Sequence, residues 1–307
     1  MPAVSLPPGG IPWDQELPLE TAEGVRLRGA LWRGGDRGLA LLLNGRTEFL
    51  EKCAVPAAEL VKRGFSVASV DWRGQGLSQR LLDNPRKGHV SAFTDFHLDL
   101  QALTEAPAVR EIGAPRLMLA HSMGGAIGLG AIARGAVAPD AVILSAPMLG
   151  ICLGVTGRLA TGILLPPAGA LGLLERWPPF APKTPYVFKG YRKNVLTGDQ
   201  AMFDWMADAL RDEPRLQLAA PTMGWMRAAL DEGAYLANHG PLGCPALMLL
   251  GSAEAVVDPA AIRTGAPRLG AELVQIDGAR HEVLIETPSL RDQAWAAIDG
   301  LLGRAGV

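Results

Sequence analysis

The sequence predicts an α/β fold, with a mostly parallel central sheet, helices on both of its faces and an inserted, mainly helical cap. Three observations predict it. Short apolar runs alternate with amphipathic stretches along most of the chain, as strands buried on both faces and linked by covering helices do. One such run, 116–120, stops at Ser122 and passes at once into a helix-compatible segment. The alternation lapses between about 148 and 240 and then resumes, which marks an insertion between two core strands. Residues 1–147 and 241–307 are therefore assigned to the core and 148–240 to the cap.

Each element has its own local reason. Residues 16–20 and 25–32 read as a hairpin turning at Glu23-Gly24. The continuous apolar run 39–43 ends at Asn44-Gly45 and suits a buried strand. Residues 51–63 read as a helix closed by Gly64, and 65–70 as the next strand. Over 94–109, Phe96, Leu100 and Leu103 fall on one helical face. Strands follow at 116–120, 141–144, 246–250 and 272–276, and Leu290, Ala294, Ile298 and Leu301 mark a final helix. Inside the cap, helical patterns at 198–210 and 222–236 stand among turns at Pro178-Pro179, Pro182 and Pro185. The stretch 148–174 is strongly apolar, but Arg158 near its middle, a helix-breaking Pro166-Pro167 and several glycines argue for a flap rather than a membrane span.

Composition sets the broad class. Of 307 residues, 49% are apolar and 20% charged, a globular balance, and a net charge of −2 without a basic run gives no reason to expect nucleic acid. Cys53, Cys152 and Cys244 are far apart and odd in number, which suggests free, mostly buried thiols in a reducing compartment. Residues 1–10 lack the basic and apolar regions of a signal peptide, so a cytoplasmic location is expected, with contact at the inner face of the membrane open to an apolar cap.

The chemistry centres on Ala120-His-Ser122-Met-Gly124. A strand that turns sharply into a helix holds a serine out at its tip, and small residues are needed two places before and after it. Ala120 departs from the usual glycine by one methyl. A serine hydroxyl needs a neighbouring base. Where such an elbow opens a helix of an α/β sheet, the acid and then the histidine follow in the chain. Of His89, His97, His121, His239 and His281, only His281 follows every remaining core strand. Glu254 stands just past the strand 246–250 and is the favoured acid. Asp258 is the alternative acid, although Asp258-Pro259 also makes a good helix start. Backbone N–H groups of Met123 and Arg46 are the candidate oxyanion donors. The Arg46 side chain is expected in a salt bridge to Glu48 or Glu51, with an anionic head group as the other option. The loop starting at Asp71-Trp-Arg-Gly reads as structural support. Asp95, His97 and Asp99 read as a solvated helix face rather than a metal site, and neither metal nor cofactor is called for.

Five segments occur together and in order: 41–49 (Leu-Leu-Leu-Asn-Gly-Arg-Thr-Glu-Phe), 71–78 (Asp-Trp-Arg-Gly-Gln-Gly-Leu-Ser), 120–125 (Ala-His-Ser-Met-Gly-Gly), 145–149 (Ser-Ala-Pro-Met-Leu) and 221–225 (Pro-Thr-Met-Gly-Trp). On these segments the chain resembles the bacterial lysophospholipase and monoacylglycerol lipase family of α/β-hydrolases, from about residue 15 to 303. The resemblance implies a serine esterase acting on single-acyl lipids beneath a cap, with transient contact of the cap with lipid interfaces. By position it puts the nucleophile on Ser122, the histidine on His281 and the acid on Glu254, where lipase members generally carry Asp. Asn44 also departs, standing where the lipases have His. An acyltransferase or aminopeptidase-like hydrolase with the same triad, and a catalytically inactive binding protein of the same fold, remain the alternatives.

Overall fold

The computed structural model describes residues 2–152 and 154–307, with side chains for all of these except 154–160, so Arg158 lies outside the described side chains. The chain opens with a hairpin, β1 (Gln15–Glu20) and β2 (Arg26–Trp32), in which Gln15 faces Leu31 and Glu20 faces Arg26. Gly24 in its turn has φ +79°, a left-handed conformation that glycine adopts without a steric penalty. Then follow β3 (Leu39–Leu43), α1 (Leu50–Lys62), β4 (Ser66–Asp71), α2 (Asp95–Glu105) and the single turn α3 (Pro107–Arg110). Next come β5 (Pro115–His121), α4 (Met123–Ala133) and β6 (Ala141–Ser145). Three helices, α5 (Gly154–Ala170), α6 (Gln200–Asp212) and α7 (Met223–Ala237), lie between β6 and β7 (Ala246–Gly251). The chain closes with α8 (Pro259–Leu269), β8 (Glu272–Ile276) and α9 (Pro288–Ala305).

The eight strands form one sheet in the order β1-β2-β4-β3-β5-β6-β7-β8. The first two pairings in that order are antiparallel and the rest parallel. Alternate side chains of the inner strands feed two cores, as the two-residue period of a strand requires. Leu41, Leu43, Met118, Ala120, Val142, Leu144, Met248 and Leu250 join the core on one face. Ala40, Leu42, Leu117, Leu119, Ile143, Leu247 and Leu249 join the other, with Leu50 and Leu60 of α1 and Ile298 and Leu301 of α9.

Three expectations need correction. The helix expected over 94–109 stops at Glu105, because the ring of Pro107 drives Ala106 to ψ 131°. Pro166-Pro167 do not end α5, which runs on to Ala170. Proline's fixed φ is itself helical, and the helix is held from outside by Leu165 and Ala168 packed on Met223 of α7. Asp99 does not lie on a solvated face. It is buried and accepts hydrogen bonds from the Arg73 backbone N–H (2.9 Å) and Nε (2.8 Å). Burial raises its carboxyl to about 6 although Arg73 opposes the shift. Among the described residues, no helix is long and apolar enough to cross a membrane.

Candidate active site

Ser122 ends β5 and begins α4 with φ 52° and ψ −118°, a conformation that costs a non-glycine residue about 1–3 kcal/mol. The surrounding backbone imposes it. The Ser122 N–H donates to the Ser145 carbonyl (3.0 Å), and the Ser122 carbonyl accepts from the N–H groups of Met148 and Gly125 (2.9 Å each). The turn brings α4 so close to β3 that a Cβ on Gly124 would stand 2.3 Å from the Leu43 carbonyl oxygen. Ala120 lies on the strand side, fully buried in the core beneath, where its methyl is accommodated.

Two loops bring the partners. His281 follows β8, and its Nε2 is 2.9 Å from Ser122 Oγ. Its Nδ1 is 2.7 Å from Glu254 Oε2, on the loop after β7. Glu254 is anchored in turn, its Oε1 accepting from the N–H groups of Val256 (2.6 Å) and Val257 (3.1 Å). Burial pushes the Glu254 carboxyl up, but His281 and these N–H groups outweigh it and hold the carboxyl below its usual range. Gly251 lets the two loops meet, since a Cβ there would stand 2.3 Å from the Ala279 carbonyl oxygen. The two candidate acids thus separate: Glu254 faces His281, while Asp258 caps α8 by accepting from the Ala260 N–H at 2.9 Å.

Met123 is the first residue of α4, where a backbone N–H has no intrahelical acceptor. The loop after β3 lies against the elbow, where a Cβ on Gly45 would stand 3.1 Å from the Ser122 Cβ. The Gly45 N–H donates to Glu48 Oε2, and Gln75 Nε2 donates to the Gly45 carbonyl at 2.8 Å. These bonds orient the peptides around Arg46. The Arg46 side chain does not make the expected salt bridge, because both acidic candidates face inward toward other cations. Glu48 pairs with Lys52, and Glu51 with Arg28. Arg46 instead donates from Nη2 to the Ala219 carbonyl (2.5 Å) and stacks 5.3 Å from the Trp225 ring centre.

The sequence gives little sign of the buried charge cluster beside the triad. Lys52 Nζ bridges Glu48 (2.5 Å) and Glu282 (2.6 Å), and His121 Nε2 lies 3.3 Å from the other Glu282 oxygen. His121 Nδ1 faces the Ser145 carbonyl at 3.1 Å, and its ring centre lies 4.7 Å from that of His281. Burial alone would lower His121, but the carboxylates of Glu282 and Glu48 raise it above the ordinary histidine range. Glu48, His121 and Glu282 offer ligand atoms close enough for a metal ion, but the Lys52 ammonium already bridges the two carboxylates. The one sequence signal was Glu282, directly after His281.

A cavity of about 410 Å³ opens over Ser122. Phe49 lines it from the loop after β3, and Met148, Val187, Met206, Leu218 and Trp225 from the segment between β6 and β7. The three cysteines are free, but the expectation that they are mostly buried needs correction: only Cys53 is buried, Cys244 is half-buried and Cys152, on the segment after β6, is exposed.

Comparison with known proteins agrees with this architecture. The family model described as serine aminopeptidase, S33 matches residues 34–288. The chain is similar to lysophospholipase L2 of Escherichia coli (strain K12), 33% identical over 280 residues that cover 87% of this chain and 80% of that one. It is also similar to a monoacylglycerol lipase of Mycolicibacterium smegmatis, 25% identical over 86% of this chain and 88% of the other. Among solved structures, a soluble variant of monoglyceride lipase from Saccharomyces cerevisiae, in complex with a substrate analogue, shares the fold with a TM-score of 0.72 at 20% identity, covering 98% of this chain and 99% of that one. The chain therefore belongs to the serine aminopeptidase S33 family and, among the α/β-hydrolases, to the family of lysophospholipases and monoacylglycerol lipases.

Proposed function

We propose that the protein is a serine carboxylic ester hydrolase for single-acyl lipids, with Ser122, His281 and Glu254 as its catalytic residues. The observation that carries this reading is the unbroken hydrogen-bonded chain from Ser122 Oγ through both His281 nitrogens to Glu254. As Oγ attacks the ester carbonyl carbon, His281 Nε2 takes its proton. The carbonyl oxygen gains the negative charge and is held by the N–H groups of Met123 and Arg46. Glu254 stays ionised, keeps the proton of the neutral imidazole on Nδ1 and stabilises the imidazolium. When the intermediate collapses, the alcohol leaves with the proton from His281 and the acyl group remains on Ser122. Water then attacks by the same sequence, releasing the fatty acid and restoring the serine.

Residues 148–240 act as the cap in this reading, and their apolar side chains line the cavity for an acyl chain. Ile163, Leu171 and Phe180 are exposed in this segment and suit it to contact with a lipid interface, with the protein in the cytoplasm. A peptidase for free amino termini needs a carboxylate for the amine. Among the described residues lining the cavity, the only acidic one is Glu282, already paired with Lys52.

The test is a fluorophosphonate probe with a panel of lysophospholipids, monoacylglycerols and p-nitrophenyl esters. Wild type should be labelled and should release fatty acid, and Ser122→Ala should do neither. A folded wild type that is neither labelled nor active would sink the enzyme reading. Preferential acyl transfer to added alcohols over water would replace it with an acyltransferase.

A further inference from the structure

Arg46 stands apart from the other arginines near the core. Arg28 meets Glu51 and Asp71, Arg73 meets Asp99, and Arg134 meets Glu232. Arg80 has no carboxylate but donates to three carbonyls, those of Gly74, Gly76 and Arg215. Arg46 has neither kind of compensation. Of its five N–H groups, one reaches the Ala219 carbonyl, Nε is buried without a partner, and no carboxylate pairs with it among the described residues. Burial accordingly lowers it to about 10, with no neighbouring charge to oppose the shift. A guanidinium that leaves a buried N–H without an acceptor is a costly arrangement unless an anion completes it.

Its position says which anion. Arg46 lines the cavity over Ser122 together with Trp225 and Leu218, and its guanidinium stacks on the Trp225 ring. Behind it, Arg46 shares a small void with Arg73, whose charge Asp99 already answers, so Arg46 is the uncompensated cation on this wall among the described residues. The guanidinium hangs by a three-methylene stem from the residue whose N–H is assigned to the ester oxyanion. In a 1-acyl lysophospholipid, the phosphate hangs from the same ester by a three-carbon glycerol backbone. The two tethers are commensurate, so the phosphate of an ester seated on Ser122 has the reach to meet a guanidinium lining the same cavity. A monoacylglycerol presents a neutral hydroxyl there.

We propose that the Arg46 side chain is a specificity-determining group that receives the phosphodiester of a lysophospholipid substrate. Guanidinium and phosphate oxygens form short, charge-assisted hydrogen bonds, and planar arginine suits them better than lysine. The proposal rests on the ester-hydrolase reading above and deepens it.

The test compares wild type, Arg46→Lys and Arg46→Met on 1-acyl lysophosphatidylglycerol and the 1-monoacylglycerol of the same chain, both below micelle formation. Any disturbance of the oxyanion loop falls on both substrates, so the ratio of their kcat/KM isolates the phosphate. In Arg46→Met that ratio should fall by about tenfold or more, mainly through KM of the lysophospholipid, and Arg46→Lys should recover part of it. Glycerophosphoglycerol should compete with substrate in wild type and compete less well in Arg46→Met. An unchanged ratio would overturn the proposal. So would inorganic phosphate competing as well as the glycerophosphodiester, which would mark a general anion site. If wild type cleaves neither lipid, the ester-hydrolase reading fails, and direct calorimetric binding of glycerophosphoglycerol to wild type and Arg46→Met still decides for or against Arg46.

Discussion

Replacing Glu254 by Gln tests the site at its most consequential hydrogen bond. In the wild type the carboxylate faces His281 Nδ1 at 2.7 Å and can only accept, so the ring proton sits on Nδ1 and Nε2 is free to take the proton of Ser122. The other oxygen is occupied by the N–H groups of Val256 and Val257. Those two N–H groups require an acceptor, so in Glu254→Gln the amide oxygen must turn to them and the NH₂ to the histidine. Nδ1 then becomes an acceptor, the ring proton moves to Nε2, and the imidazole donates to Ser122 instead of accepting from it. A wrong tautomer of this kind lowers kcat by about 10⁴ while leaving substrate binding in place. Glu254→Asp keeps the charge but draws it back by roughly one C–C bond, about 1.5 Å, so it cannot reach both the loop N–H groups and His281; kcat should fall by about 10- to 100-fold. The control is Asp258→Ala, which removes the cap of α8, costs about 1 kcal/mol of stability and leaves kcat within twofold. Steady-state kinetics on a p-nitrophenyl ester, with thermal unfolding of each variant, supplies all the readouts. Glu254→Gln within tenfold of wild type, or loss of turnover in folded Asp258→Ala, would refute the argument.

Further outcomes follow from other parts of the structure. Ser122→Ala should lower kcat by about 10⁶ and abolish fluorophosphonate labelling without changing the circular dichroism spectrum. Because Glu282 and Glu48 raise His121 above its ordinary value, its contribution to stability is fully present below about pH 6.5 and is lost as pH rises through the folded value. The midpoint of thermal unfolding of wild type, compared with His121→Gln, should therefore show an advantage at pH 6 that shrinks toward pH 9; an advantage that grows with pH would contradict the cluster. Gly251→Ala would set a methyl 2.3 Å from the Ala279 carbonyl oxygen and push the His281 loop off the end of β7. Its kcat should fall by about 10²-fold with KM little changed, and wild-type kcat in this variant would show that the loop can yield.

Much of this was legible because it rests on local patterning. The strands announce themselves as apolar runs buried on both faces, and the elbow as small residues around Ser122. His281 follows from chain order alone. Glu254 and Asp258 could be ranked but not separated, since what parts them is the return of the loop after β8, a contact between distant segments. Pro166 and Pro167 misled because local propensity takes no account of the surface that α7 offers to α5. The Lys52–Glu48–Glu282–His121 cluster is assembled from the β3 loop and α1, the elbow, and the residue after His281. His121 and Glu282 each adjoin a triad residue, but nothing local shows that their charges and those of Glu48 and Lys52 are buried together, so the sequence offers Glu48 and Glu51 to Arg46 although the fold commits them to Lys52 and Arg28.

The strand order has a bearing on how such a protein can diversify. The chain leaves the sheet at β6 and returns at β7, and these strands are hydrogen-bonded neighbours, with Ser145 opposite Leu249. Everything between them is a detour whose two ends are fixed side by side. Lengthening a closed excursion is cheap, about 0.6 kcal/mol for each doubling. Ser122, Glu254 and His281 all stand on the sheet side of the junction. Exchanging the detour between relatives is therefore a single transplant that leaves the reaction centre in register, and the range of acyl chains accepted becomes a trait that can be inherited, lost or traded separately from the chemistry.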